Sequence, residues 1–371
     1  MVSRAAPLGN GYSPDVNYRR PTYLGVLASA ALTVLVVVGS RNLEHFDPAL
    51  FGYTVASIVA LGAIVFRYAI WLQRPATRAY FWRGLDLFFK RKRLAKNTAT
   101  AAGTFATNLI EQRFIFKRSR QRWLMHLLIM WGCILSALIT FPLAFGWVHF
   151  KLEGDRSYRA YLFGFPTVAM DGRSILAWVQ FHALDFTAIM VLAGCAIAIH
   201  RRLTDRGAIA AQTFLLDFTP HLLLIAVSVS GLMLTASSLW FDGYMYSFIS
   251  LSHQALVIMT LFYLPFGKLF HIVQRPASIG VELYQERSRE MEQAVCPRCG
   301  TMFMGKMWID DLKKVVDQLG FDYRLENGYT LQDYCPRCKR IIRGLSYSNM
   351  SLKKEEVFHG SRPVETEPAE R

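Results

Sequence analysis

Six apolar stretches, residues 22–40, 50–72, 123–148, 175–199, 212–240 and 245–272, constrain this chain more than any other feature of it. A helix crossing about 30 Å of hydrocarbon needs roughly 20 mostly apolar residues, and each stretch meets that requirement. Inside a bilayer the backbone must satisfy its own hydrogen bonds, which a helix does internally. The expected fold class is therefore an all-α integral membrane helix bundle of about six transmembrane helices. Composition agrees: 53% of the 371 residues are hydrophobic, yet the formal net charge is +15, so apolar and basic material must be segregated along the chain. The first run reads as a retained helix, because Arg4, Arg19 and Arg20 precede it and no convincing cleavage setting follows.

Orientation follows from where Lys and Arg collect, since short basic loops stay in the cytoplasm. In the loop 73–122, thirteen Lys and Arg residues, among them Arg83, Lys90, Arg93, Lys96, Arg113 and Arg122, face only Asp86 and Glu111. That places both termini in the cytoplasm, with His200, Arg201, Arg202 and Arg206 on the same side and the mixed-charge segment 151–173 outside. Residues 108–120 interleave apolar and basic side chains, which fits either a helix lying on the anionic inner leaflet or topology charge alone.

The histidines carry the chemistry. Metal-binding side chains within a bilayer are costly and point to function. His253 and His271 stand eighteen residues apart, a whole number of turns at about 100° per residue, which places them on one face at opposite depths. His182 and His200 repeat the spacing, and His126 opens the third run at the inner boundary. Two stacked sites at different depths suit haem held by imidazoles from different helices. A lone zinc or copper ion would want its ligands clustered at one level. The alternative is that single histidines, His200 and His221 above all, are packing or interfacial residues. Asp185 lies one turn from His182 and Asp217 one turn from His221, so either pair could relay protons at a quinone site or orient a histidine.

Residues 122–132 (RWLMHLLIMWG) and 264–273 (LPFGKLFHIV) resemble motifs of the b-type cytochrome superfamily that includes the respiratory nitrate reductase gamma subunit and heterodisulfide-reductase-like membrane subunits. The resemblance covers roughly residues 82–276. It implies a bundle with one or two b haems that links menaquinol to an iron–sulfur or flavin subunit on the cytoplasmic face. It further implies His126 and His271 as inner-haem ligands and His253 as an outer-haem ligand. Where the nitrate reductase subunit has a second histidine on its matching helix this chain has Ser136, and His182 is the expected replacement. A rival scheme pairs His182 with His253 and His200 with His271, and loss of the outer haem is a third possibility.

Beyond residue 276 the hydropathy collapses. Residues 288–346 read as a small cytoplasmic zinc-ribbon-like domain appended to a membrane domain at 1–276, and 353–371 as a disordered tail. Cys296, Cys299, Cys335 and Cys338 form two CPRC pairs, and four thiolates make a closed tetrahedral site. Zinc is the expected metal. Rubredoxin-like iron is the alternative, weakened because Lys339 replaces the glycine expected after the second pair. A helix is expected over residues 308–319, where Ile309, Leu312, Val315, Val316 and Leu319 recur at helical spacing.

The expected function is electron transfer between the quinone pool and a cytoplasmic redox partner, as the quinone-reactive cytochrome b subunit of an oxidoreductase complex, with no role for nucleic acid. The alternative is a membrane-anchored sensor or assembly factor whose zinc module is an interaction domain, with a transporter behind both.

Overall fold

The structure, a computed structural model, describes residues 16–347. In chain order its helices are α1 (Arg19–Gly39), α2 (Phe51–Trp71), α3 (Pro75–Phe88), α4 (Leu94–Thr104), α5 (Arg113–Phe116), α6 (Arg120–Ala144), α7 (Ile175–Phe181), α8 (Ala183–Thr204), α9 (Arg206–Ala211), α10 (Phe214–Trp240), α11 (Tyr246–Phe266), α12 (His271–Gln274), α13 (Ser278–Glu290), α14 (Lys306–Gln318) and α15 (Pro336–Tyr347). The strands are β1 (Val148–Glu153), β2 (Ser157–Leu162), β3 (Phe165–Asp171), β4 (Gln293–Val295) and β5 (Met302–Gly305). Six helices, α1, α2, α6, α8, α10 and α11, are long and apolar enough to cross a membrane. The chain is a multi-pass membrane helix bundle with a small C-terminal four-cysteine module.

The described residues form two compact units. The first comprises residues 17–70 and 105–276 and contains the membrane-length helices. Small residues let these helices approach closely. A Cβ on Gly132 would stand 2.6 Å from Val191 Cγ2, and one on Gly194 would stand 2.7 Å from Ile129 Cγ1, so α6 and α8 pack nearly backbone to backbone. Ser136 donates to Thr187 Oγ1 across the same seam at 2.7 Å, which gives the residue found in place of an expected histidine a packing role. Between α1 and α2, Ser29 donates to the Ile58 carbonyl at 3.0 Å.

Two expected continuous helices are interrupted. The run 175–199 divides at His182, which ends α7 and opens α8 with φ −100° and ψ 6°. The run 245–272 ends at Phe266, followed by extended Gly267, a 3₁₀ turn over Lys268–Phe270 and then α12. The second break falls at Gly267, just past Pro265, where the backbone turns extended (φ −87°, ψ −169°) after the Gly267 N–H makes a last helical bond to the Tyr263 carbonyl. The whole-turn argument that set His253 and His271 on one helix face therefore fails, since a break separates them. Residues 108–120 do not form one helix either: a π-helical turn over Phe105–Ile110 leads to Gln112 in the left-handed region (φ 54°) and then to α5. The segment expected as an outside loop folds as an antiparallel sheet in the order β1-β2-β3, turned at Gly154 and Gly164, both with positive φ. His149 on β1 stacks between His45 and Tyr161, with ring centres 4.2 and 5.0 Å away. Burial, with the charges of His45, Lys151 and Arg41 behind it, pushes the His149 imidazole below its ordinary range.

The second unit joins residues 71–104 to residues 277–347 and is larger than the segment 288–346. Helices α3 and α13 cross at Gly84 and Gly280, where a Cβ on Gly84 would stand 2.9 Å from the Gly280 Cα. Arg83 grips Asp311 with two hydrogen bonds of 3.1 and 2.9 Å, and the fully buried Tyr284 donates to the same carboxylate at 2.9 Å. Lys96 on α4 pairs with Glu286 and Glu290 on α13 at 3.0 and 2.7 Å, and Arg93 also bonds Glu290. Several cations of the basic loop thus bind acidic partners here. The expected helix at 308–319 is α14; the expected tail at 353–371 lies outside the described residues.

Candidate functional site

The break after α11 brings two predicted histidines together. His126, in the second turn of α6, and His271, at the start of α12, place their ring centres 6.1 Å apart at an interplanar angle of 62°. A metal bound through Nε2 lies roughly 3 Å from the ring centre, about 2 Å of bond plus the ring's own radius, so two imidazoles sharing one ion stand roughly 6 Å apart. The His271 Nδ1 donates to the Lys268 carbonyl at 2.7 Å, an acceptor that fixes the tautomer and leaves Nε2 with its lone pair. The His126 Nδ1 meets Gln112 Oε1 at 2.7 Å, with the same result.

Both orienting contacts depend on irregular backbone. Gln112 is 2% exposed, and its left-handed conformation turns its amide inward toward α6. On the other side, the Arg67 guanidinium of α2 donates to the Pro265 carbonyl and lies 4.3 Å over the Phe270 ring. Arg67 thereby ties down both ends of the break that aims His271. An arginine in a membrane helix calls for such a partner, and a carbonyl at a helix break supplies it.

The other predicted histidines are held separately. The His253 Nδ1 lies 2.8 Å from Ser230 Oγ, whose own proton goes to the Ala226 carbonyl at 2.7 Å, so the imidazole donates and presents Nε2. The His182 Nδ1 bonds Asp185 at 2.8 Å, and Thr235 of α10 donates to the other carboxylate oxygen at 2.7 Å. No ring contact links His182 to His253 among the described residues. The His221 Nδ1 donates to the Asp217 backbone carbonyl at 2.8 Å. The Asp217 carboxylate turns away to Lys268 at 2.6 Å and Arg202 at 3.2 Å, so the expected side-chain pair with His221 does not form. His200 is exposed near the end of α8.

The cysteines converge in the second unit. The sulfur atoms of Cys296, Cys299, Cys335 and Cys338 all lie within 4.8 Å of one another, and those of Cys299 and Cys335 are 3.7 Å apart. Four thiolates around zinc at about 2.3 Å define a tetrahedron with edges near 3.8 Å, so the donor set fits. The two halves are built differently. Cys296 and Cys299 occupy a turn after β4, closed by Gly300 at φ +69° with its N–H on the Cys296 carbonyl at 2.9 Å. Cys335 immediately precedes α15 and Cys338 sits in its first turn, with Pro336 as the first helical residue. Lys339 is therefore helical, which is why no glycine is needed there. Cys296, Cys335 and Cys338 are buried with Tyr334 against Phe303, Leu325 and Ile342, while Cys299 faces outward.

Gln112, Arg67 and Thr235 went unnoticed in the sequence. Each is a common polar residue, and only the break or the helix pairing assigns it a partner. No family model, curated protein or solved structure matches the chain.

Proposed function

We propose that this protein is a membrane haem b subunit that passes electrons between the quinone pool and a peripheral iron–sulfur or flavin partner. The single observation that carries the reading is the His126–His271 pair: ring centres 6.1 Å apart, with each Nδ1 hydrogen-bonded so that Nε2 is left for a metal. A b haem, when bound, supplies a reversible one-electron carrier. His126 and His271 would hold it through Nε2, with Gln112 and the Lys268 carbonyl fixing their tautomers. His253, oriented by Ser230, and His182, oriented by Asp185, are the corresponding pair for an outer haem.

Quinol oxidation releases protons, and the Asp185 carboxylate, bonded to His182 and Thr235 and partly exposed, is placed to accept them. The residues would thus divide the work, imidazoles for the electron carrier and a carboxylate for protons. The basic-loop bias puts both termini and the cysteine module on the cytoplasmic side, beside the redox partner. In the module the asymmetric four-cysteine donor set, buried at Cys296, Cys335 and Cys338, favours structural zinc over a rubredoxin-like iron centre.

A reduced-minus-oxidised visible spectrum of the detergent-purified protein, with haem quantified per chain, tests the reading. A b-type α band supports it, and protein with no haem, made under adequate haem supply, rejects it. A second reading rests on a different observation, the preformed four-cysteine site: a membrane-anchored sensor or assembly factor using that module to bind a partner. Zinc in a haem-free protein would favour it.

A further inference from the structure

Helices α6 and α8 run antiparallel along their glycine seam, so the N-terminus of α6 and the C-terminus of α8 meet at one end of the bundle. That end carries Arg122 and Arg201. The Arg201 side chain is 16% exposed, and its Nε and Nη1 atoms are shielded from solvent without a hydrogen-bond partner among the described residues. Its nearest carboxylate, Asp205, lies 3.9 Å from Nη1, beyond hydrogen-bond reach. Arg122 Nη2 stands at the same 3.9 Å from the same Asp205 oxygen.

Asp205 is not free to move in. Its other oxygen accepts the Gly207 and Ala208 N–H groups at 2.9 and 3.3 Å, capping α9. The neighbouring Arg202 and Lys268 are drawn to Asp217. Four cations therefore share two carboxylates, and the pair at Arg122 and Arg201 is the under-neutralised part. A guanidinium cannot shed its proton, and a half-buried one lacking hydrogen bonds calls for an anion.

We infer that Arg122 and Arg201 form a binding site for the phosphate of an anionic phospholipid at the mouth of the α6–α8 seam. Basic recesses between membrane helices at the boundary that holds the Lys/Arg-rich loops take such headgroups, and two forked guanidinium groups match phosphate oxygens in pairs. Leu124 on α6 and Leu203 on α8, close in sequence to these arginines, are exposed and offer an apolar surface to the acyl chains. The site is independent of the electron-transfer reading.

The test uses the full-length protein, delipidated in a neutral detergent and titrated with phosphatidylglycerol or phosphatidylcholine, with bound lipid counted by native mass spectrometry. Phosphatidylglycerol should be retained and phosphatidylcholine not. Arg201→Gln and Arg122→Gln should each weaken retention about fivefold, and Arg201→Lys, which keeps the charge but not the fork, should fall between. Equal retention of the two lipids, or wild-type retention of phosphatidylglycerol by the double Gln variant, would overturn the proposal. Unchanged lipid retention with loss of haem absorbance would also overturn it, and would hand both arginines to the carboxylates of the prosthetic group.

Discussion

The imidazole ring centres of His126 and His271 stand 6.1 Å apart, although 145 positions of chain separate them and neither occupies the middle of an uninterrupted helix. If they share a haem iron, His126→Ala and His271→Ala should each remove the same haem, measured as an equal drop in the b-type absorbance per chain. His253→Ala should remove a different one. His200→Ala, at an exposed position, should leave the spectrum intact. Equal loss from His200→Ala and His271→Ala would instead support the rival pairing on α8.

Gln112 orients His126 without touching the iron position, so its removal should weaken rather than abolish binding. Gln112→Leu is expected to reduce haem affinity about 10- to 100-fold and to shift the reduction potential of the haem that remains. Redox titration of the partially loaded variant separates this from misfolding, which would lower occupancy at an unchanged potential.

Arg67 should matter through the helix break. Arg67→Leu frees the Pro265 carbonyl and removes the cation over Phe270, so His271 loses its aim. The His271-dependent haem should fall while the His253-dependent haem persists. Arg67→Lys keeps a donor but not the flat stacking group, and is expected to lie between the two. Simultaneous loss of both haems would show that Arg67 supports the bundle as a whole.

The four-cysteine site should carry one zinc ion per chain by elemental analysis. Metal binding at such sites is worth about 10–16 kcal/mol at pH 7, more than a module this small can replace from its core. Chelation or Cys335→Ser should therefore abolish hydrogen-exchange protection in β4, β5 and α15 while α6 and α8 stay protected. Full protection of α15 in metal-free protein would contradict a structural role.

The α4–α13 contact should be acid- and salt-sensitive. Lys96, then Arg93, hold the Glu290 carboxyl down at about 2, against an ordinary value of about 4.5. A depressed carboxylate stabilises fully above its unfolded value, and that contribution is lost as pH falls through about 2. The Tm difference between wild type and Glu290→Gln should thus be present at pH 6, shrink below about 4.5, and also shrink in 1 M salt, since the group is exposed. A difference that ignores both pH and salt would mean that packing, not charge, is responsible.

The six spans were legible because hydrocarbon imposes length and composition on the sequence directly. The cysteine pairs were legible because ligand spacing is local. The interruptions were not. His182 sits inside an apolar run with no proline to mark the division, and the helical-wheel argument for His253 and His271 assumed a helix that stops at Gly267. The sheet at 148–171 was hidden by its mixed charge, although Gly154 and Gly164 bracket a strand-length segment rich in tyrosine. The meeting of His126 with His271 was available only through resemblance, because nothing in local pattern brings position 126 to position 271. Gln112 and Arg67 left no trace at all, since their partners are a distant ring and a carbonyl freed by a helix break.

The crossing of Gly84 against Gly280 also has a meaning for biosynthesis. The ribosome makes residues 71–104 after two membrane-length helices and residues 277–347 only after the last. Until then α3 and α4 have no α13 to receive Gly84, Arg93 or Lys96, and the aromatic cluster around Tyr284 does not exist. The cysteine unit is thus a late-closing clasp, completed only in chains whose membrane helices have all been synthesised.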